Sequence, residues 1–336
     1  MSEQNSGAAP IDSTPPAEAY KDRLLGLMIF GCLTIGMGCL CGLFVPLMLF
    51  GQMMSAKTTG EPANFATILP ATFIYGILAV ALIWLGIGSM MARRWARALL
   101  LIFSWSWLVM GVLTLGFMGF LMPKIFANLP NTGGTAGQPQ LPPGALTVMM
   151  AVMFLAWGVI FIILPAVWTF FYGSRHVKAT CEARDQVPRW TDACPLPVLG
   201  VSTWLWFSAA SLLLMAIGCN GVMPFFGMFL SGWPGTMFCL GMAAIWGLAA
   251  WWLYRLDRRG WWLIVIALCA FVVSGALTYA RHDILEMYRL MGIPEGQLKD
   301  MQKTGMLTGN LMGWMMLIWL APLRGYLLYI KKFLRR

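Results

Sequence analysis

Residues 24–51 read LLGLMIFGCLTIGMGCLCGLFVPLMLFG, a stretch without a single charged side chain. A helix needs about 20 apolar residues to cross the roughly 30 Å hydrocarbon core of a bilayer, and this stretch exceeds that length. It is too long for the apolar region of a cleaved signal peptide, and the polar residues 1–20 before it supply no basic region. We therefore expect an uncleaved membrane anchor that follows a disordered tail.

Seven further stretches have the same character, and none of the eight contains Asp or Glu. They comprise residues 70–91, 97–122, 146–172, 199–230, 236–254, 261–280 and 306–329. Over the 336 residues of the chain, 59% are hydrophobic and only 11% are charged, whereas soluble domains carry about 25% charged residues. The sequence therefore predicts an all-α polytopic membrane protein with eight transmembrane helices.

The distribution of Lys and Arg predicts the orientation of these spans. Of the 23 basic residues, 17 fall in the two termini and in the loops that follow the second, fourth and sixth spans. Cytoplasmic loops are enriched in Lys and Arg, so both termini are expected in the cytoplasm. The chain has no N-x-S/T acceptor, which fits a bacterial inner membrane. The net charge of +10 is an orientation and anionic-lipid signal, and no nucleic-acid partner is expected from basic residues scattered through short turns.

Four spacings in the first half of the chain recur, in the same order, in the second half. The matched sets are Cys41/Pro46 with Cys219/Pro224, Arg93-Arg94 with Arg258-Arg259, Gly111/Leu113/Thr114 with Gly275/Leu277/Thr278, and Trp157/Pro165/Tyr172 with Trp314/Pro322/Tyr329. This order indicates an internal duplication. Because each unit has four spans, both units enter the membrane from the same side, as parallel repeats do.

The duplication also predicts the domain organisation. Residues 1–22 form the cytoplasmic tail, 23–172 the first four-helix repeat, 173–198 a cytoplasmic connector, and 199–336 the second repeat. The connector is expected to contain a short helix over 174–185, followed by Trp190 in a segment of mixed charge. Such a loop docks onto a membrane protein partner or onto the bundle itself, or it is a solvated linker on the lipid headgroups.

Ionisable groups inside a membrane usually mark ion paths or proton relays, and these spans contain none in their apolar cores. This argues against a proton pump, a proton-coupled antiporter and a membrane di-metal oxidase. The candidate interhelical or cavity-lining polar residues are Asn220, Asn310, Thr114 and Thr278. The two asparagines are the stronger candidates, because Thr hydroxyls can bond back to their own helix.

Two groups of residues are candidates for metal binding or acid–base chemistry. Cys181 and Cys194 lie in the connector, but they lack the two close ligand pairs that a zinc site usually has. His282 and Glu286 are four residues apart with Asp283 beside them, a spacing suited to a metal or an acid–base pair, yet no third ligand is recognisable. We predict no catalytic residue, no metal and no cofactor.

Three hypotheses about function follow. The leading one is a non-catalytic structural or accessory subunit that contacts membrane lipid or a membrane protein partner. The alternative is a transporter or facilitator of a neutral or amphipathic solute between the two repeats, since many carriers are built from repeats. A membrane enzyme is the third. A polar cavity near the middle of the bundle would favour the carrier, and a closed interior the accessory subunit.

Overall fold

The protein is described from a computed structural model that covers residues 21–59, 65–128, 144–218, 221–293, 295, 298 and 323–334. It is an all-α polytopic membrane protein, and within these ranges seven helical segments are long and apolar enough to span a bilayer. The helices are α1 Leu24–Thr59, α2 Phe65–Met90, α3 Arg94–Asn128, α4 Ala145–Gly158, α5 Leu164–Gly173, α6 Arg175–Arg184, α7 Leu196–Gly218, α8 Gly232–Tyr254, α9 Arg258–Arg281 and α10 Ile284–Leu290.

Glycines allow α1 and α2 to pack with their backbones in contact. A Cβ atom on Gly31 of α1 would lie 2.8 Å from the carbonyl oxygen of Gly86, and one on Gly86 would lie 2.7 Å from that of Gly31. In lipid there is no hydrophobic drive between helices, so this close approach of small residues is what holds such a pair together.

The fourth span is not a simple α-helix, because a π turn, Val159–Ile163, joins α4 to α5. Gly111 of α3 faces this turn so closely that a side chain there would overlap the carbonyl oxygen of Phe161. The glycine therefore lets α3 approach the turn closely. Gly111 is also the first residue of the Gly111-x-Leu113-Thr114 sequence that recurs at Gly275.

The fifth predicted span, 199–230, was wrong at its C-terminal end. The helix α7 ends at Gly218, and residues 223–230 form an antiparallel hairpin of β1 Met223–Phe225 and β2 Met228–Leu230. Pro224 has no backbone N–H to donate within a helix. Gly221 and Gly227 adopt φ values of 61° and 97°, a left-handed conformation that glycine adopts without strain.

The turns that follow α2 and α8 have the same backbone geometry. Ala92 and Leu256 both adopt left-handed conformations, with φ 50° and 61°. The next residues, Arg93 and Asp257, each donate an amide hydrogen bond of 2.9 Å to the carbonyl five residues earlier. This is the hydrogen-bond pattern of a Schellman motif, and α3 and α9 begin at the following residue in both cases.

These turns define a structural register between the two halves. Arg94, the first residue of α3, corresponds to Arg258, the first residue of α9. The pairing of Arg93-Arg94 with Arg258-Arg259 drawn from the sequence is therefore displaced by one residue. The corrected register matches Thr114 with Thr278, as the sequence does. The predicted eighth span, 306–329, lies outside the described residues except for 323–329, which are helical.

Buried apolar side chains form two main clusters. The first is built from α1, α2, α3, α5 and α6 and includes Leu27, Leu100, Trp168, Tyr172 and Val177. The second is built from α7, α8, α9 and the last helical residues and includes Val198, Leu199, Leu253, Ile264 and Ile330. Each cluster therefore belongs mainly to one half of the chain, and α7 joins the halves by packing on α2 and α3.

Candidate functional site

The connector folds back onto the bundle at the end that carries the α2–α3 and α8–α9 turns. We call this the connector end, and the opposite one, which carries the hairpin 223–230, the hairpin end. The predicted helix over 174–185 is confirmed as α6, although the Ser174 hydroxyl does not cap it. A short 3₁₀ helix, Trp190–Asp192, follows and packs against α3.

An arginine-rich group of side chains fixes the connector to the start of α3. This connector cluster consists of Arg93, Arg94, Arg97, Asp185, Arg189 and Asp192. At its centre the Asp185 side chain is only 2% exposed and lies 3.5 Å from Arg93 Nη1 and 3.2 Å from Arg189 Nη2. The backbone amide of Arg94 also donates to Asp185 Oδ2 at 3.3 Å. Asp185 thus caps the N-terminus of α3, where the helix dipole favours a negative charge.

The surroundings of Asp185 lower the pKa of its carboxyl group. Burial by itself raises this pKa, but the hydrogen bonds from Arg189 and from the Arg94 amide, together with the charges of Arg189 and Arg93, outweigh burial. The net result is a pKa below the ordinary value of aspartate. The carboxylate is therefore charged at neutral pH, and its ion pairs hold the connector in place.

Further contacts tie the connector to both halves of the chain. The backbone amide of Arg23 donates to Thr180 Oγ1 at 3.1 Å, which joins the start of α1 to α6. On the other side, Tyr254 Oη donates to the carbonyl oxygen of Trp190 at 2.9 Å, which joins the end of α8 to the 3₁₀ helix. The connector is consequently a structured element rather than a free linker.

Two large apolar side chains project from this anchored element. Val187 is 60% exposed and Trp190 is 49% exposed, although the backbone around Trp190 is held by Tyr254. An exposed tryptophan on an anchored backbone is the kind of residue that often dominates binding energy in protein interfaces.

The two connector cysteines lie in different apolar clusters. Cys181 packs in the cluster of the first half and Cys194 in that of the second. Burial is the main cause that raises the pKa of each thiol to about 11. Both are therefore protonated at neutral pH and poor nucleophiles.

At the hairpin end, side chains of α9 satisfy the backbone of the hairpin. Ser274 Oγ accepts a hydrogen bond from the Phe226 amide at 2.9 Å and donates to the Pro224 carbonyl at 3.1 Å. Thr278 Oγ1 accepts from the Gly227 amide at 3.0 Å. Buried backbone amides and carbonyls need hydrogen-bond partners, and these two hydroxyls supply them for the hairpin.

His282 adds to the same anchoring. Its Nε2 lies 3.0 Å from the carbonyl oxygen of Gly227, and its Nδ1 lies 2.8 Å from Glu286 Oε2. Both ring nitrogens are therefore engaged, one of them by the hairpin backbone. The pair weighed for acid–base chemistry is in contact, and its geometry positions the hairpin. No group of three or more His, Cys, Asp or Glu residues suited to a metal occurs in the ranges that the structure covers.

The sequence-predicted polar residues have different locations. Thr278 is fully buried against the hairpin, while Thr114 is half-buried on α3. Asn220 and Asn310 lie outside the described residues. A groove of about 250 Å³ runs over the π turn of the fourth span, and the described residues that line it are apolar, among them Phe154, Leu155 and Ile162.

Sequence reasoning missed the role of Asp185 and the hairpin 223–230. The signal for Asp185 was a loop with acidic residues that joins spans flanked by arginine-rich turns, and the signal for the hairpin was the Gly221, Pro224, Gly227 spacing inside an apolar run. Neither a protein-family model nor a curated protein nor a solved structure matches this chain.

Proposed function

We propose that this protein is a non-catalytic accessory subunit of a bacterial inner membrane that docks a partner protein through its connector. The observation that carries the proposal is the anchoring of Trp190. Its backbone is held by Tyr254 at 2.9 Å while its side chain stays 49% exposed. A backbone that is already held in place loses less conformational entropy on binding, which favours association.

In this proposal the connector end faces the cytoplasm. The argument is the asymmetry of basic residues, because Arg93, Arg94, Arg258 and Arg259 and the basic residues of the connector all fall at this end. Both termini then lie in the cytoplasm, and a docked partner would be a cytoplasmic protein or the cytoplasmic part of a membrane protein.

Membrane lipid is the second proposed contact. Cations at the connector end lie over aromatic rings: Lys331 Nζ is 4.7 Å from the Trp261 ring, Lys332 Nζ is 3.8 Å from the Tyr329 ring, and the Arg255 guanidinium is 4.4 Å from the Trp251 ring. Aromatic rings and snorkelling basic side chains are typical of the headgroup level of a bilayer. We infer that this belt sets the depth of the protein in the membrane.

We further propose that the chain consists of two parallel repeats of four spans. The matching turns at Ala92 and Leu256 support a duplication, as does the common register of Thr114 and Thr278. The same duplication favours the second candidate function, a facilitator for a neutral solute, because carriers commonly use repeats. Trp204 Nε1 of α7, however, donates to Ser106 Oγ of α3 at 2.6 Å, and this direct hydrogen bond between the halves argues against an open path between them at that position.

The test is the composition of the complex extracted from membranes in mild detergent, measured by native mass spectrometry. Wild-type protein is expected to carry a second polypeptide, and Trp190→Ala is expected to lose it because the docking side chain is removed. The control is Trp262→Ala, which removes another half-exposed tryptophan at the same end. Retention of the same polypeptide by Trp190→Ala, or wild-type protein that carries lipid alone, contradicts the proposal.

A further inference from the structure

Three buried polar atoms in and beside the connector cluster have no hydrogen-bond partner within the part of the chain that the structure describes. They are Arg94 Nε, Arg97 Nε and the hydroxyl oxygen of Thr191, a residue only 4% exposed. Unsatisfied buried polar atoms are rare in folded proteins and each calls for an explanation. Here three of them occur where the 3₁₀ helix Trp190–Asp192 packs on α3.

The charges of the cluster are also unbalanced. Arg93 and Arg189 both pair with Asp185, and Arg94 lies 3.6 Å from Asp192. Four guanidinium groups therefore face two carboxylates. Including Glu182 together with its ion-pair partner Lys178, 3.8 Å away, leaves the excess of two positive charges unchanged.

Arg97 is the member of the cluster without an ion pair inside the described ranges. It is close enough to Glu182 on α6 and to Asp192 on the 3₁₀ helix to be affected by their charges. Arg94 pairs with the same Asp192 at 3.6 Å, and Thr191 directly precedes Asp192 in the 3₁₀ helix.

The second half of the chain has an apolar residue at the position that corresponds to Arg97. In the register set by the two turns, Arg97 corresponds to Trp261, which is 5% exposed and packs in an apolar cluster. An unpaired charge in a half-buried site is costly compared with such a residue. Packing therefore does not account for Arg97, whereas an anion that pairs with it would.

We propose that Arg94, Arg97 and Thr191 form a binding site for a phosphate group. Guanidinium groups match phosphate oxygens in geometry and charge, and the Thr191 hydroxyl supplies one more donor. The uncompensated positive charge of the cluster fits an anion of this class. The group is carried either by an anionic phospholipid or by free phosphate, and the inference does not depend on the docking role of Trp190.

Two measurements on the full-length protein separate these sources. The first is isothermal titration of inorganic phosphate into protein in a neutral detergent, with chloride at equal ionic strength as the reference. The second is native mass spectrometry of protein released from nanodiscs of phosphatidylcholine with phosphatidylglycerol, which counts retained lipid. Heat of binding when phosphate is added identifies free phosphate as the ligand. One retained phosphatidylglycerol without phosphate binding identifies the lipid as the ligand.

Variants connect the binding to the site. Arg97→Gln is expected to weaken binding about tenfold or more and Thr191→Val about threefold, because charged hydrogen bonds are stronger than neutral ones. The control is Arg258→Gln, which removes the exposed counterpart of Arg94 at the start of α9 and should leave binding unchanged. Thr191→Val keeps the side-chain volume, so it tests the site even if Arg97→Gln does not fold.

Two results overturn the inference. One is that neither phosphate nor phosphatidylglycerol binds the wild-type protein more tightly than Arg97→Gln. The other is that Arg258→Gln weakens binding as much as Arg97→Gln, which would indicate a general surface charge effect. Failure of the docking proposal is observed differently. It appears as the absence of a second polypeptide, and it leaves the binding of phosphate or lipid unchanged.

Discussion

Ala92 and Leu256 share a left-handed backbone conformation at the same point of two helix-to-helix turns, with φ 50° and 61°. This conformation is the usual place for glycine at the end of a helix, and a residue with a Cβ atom is strained there by about 1 kcal/mol. Both turns therefore contain a residue in a strained conformation. This strain provides a direct test of the turn geometry.

Replacing Ala92 with glycine should relieve this strain. We expect Ala92→Gly to change the free energy of unfolding by less than about 0.5 kcal/mol, since the relief of strain offsets both the entropy that glycine adds to the unfolded chain and the loss of the buried Ala92 methyl group. The control is Ala98→Gly, at a buried position inside α3, which should lower stability by about 1 kcal/mol. Denaturant unfolding in mild detergent measures both. Equal losses at the two positions would show that the turn is not strained.

The contact of Gly111 with the π turn predicts that two glycines of α3 differ in how well they tolerate alanine. Gly111→Ala should destabilise the protein by about 1–3 kcal/mol, because the new methyl group overlaps the Phe161 carbonyl and forces α3 from the fourth span. Gly116→Ala is the matched control in the same helix, since no neighbouring side chain or other element among the described residues lies within 4 Å of its Cβ position. The prediction is wrong if thermal unfolding shows the two variants to be equally stable.

The low pKa of Asp185 predicts how stability depends on pH. A carboxyl group whose folded pKa lies below the unfolded value of about 3.9 stabilises the fold above that value and loses this contribution as pH falls through the folded pKa. Wild-type stability should therefore decrease below about pH 4. Asp185→Asn should already lack this contribution at pH 7 and show a shallower acid dependence.

Asp22→Asn is the control for this experiment, because the Asp22 side chain is 55% exposed in its ion pair with Arg184. Surface pairs of this kind contribute little, so its pH profile should resemble that of the wild type. A wild-type acid profile retained in Asp185→Asn would contradict the role assigned to the buried carboxylate. Limited proteolysis near residue 190 reports separately whether the connector has come loose.

The anchoring of the hairpin predicts the effect of removing one hydroxyl. Thr278→Val keeps the shape of the side chain but leaves the Gly227 amide without its acceptor, at a cost of about 1 kcal/mol. Thr203→Val is the control, because the Thr203 hydroxyl bonds to Leu199 of its own helix, and it should change stability little. Hydrogen exchange of the Phe226 and Gly227 amides should accelerate in the first variant alone.

Much of the fold could be predicted from the sequence because the decisive property is local. Each span is an uninterrupted apolar run, and such a run in lipid can satisfy its backbone only as a helix. The prediction failed at 199–230, where apolar residues continue past Gly218 into the hairpin. Hydropathy does not distinguish the two, since Phe225, Met228 and Phe229 are as apolar as the helix before them.

The sites were less predictable because they depend on contacts between distant residues. Asp185 acquires its role from Arg93 and from the start of α3, which lie far away in the sequence. Thr278 was a candidate because of its repeat position, but its partner Gly227 belongs to the unpredicted hairpin. The sequence shows both Asp185 and the spacing of Gly221, Pro224 and Gly227. Neither feature identifies the residues that contact it until the fold is known.

The most direct test of the docking proposal is site-specific photocrosslinking in intact cells. A crosslinking amino acid at position 190 is compared with one at position 262, which is 51% exposed at the same end of the bundle. We predict a discrete protein adduct from position 190 and only lipid adducts from position 262. Lipid adducts alone from both positions would mean that Trp190 rests in the headgroups and would contradict the account.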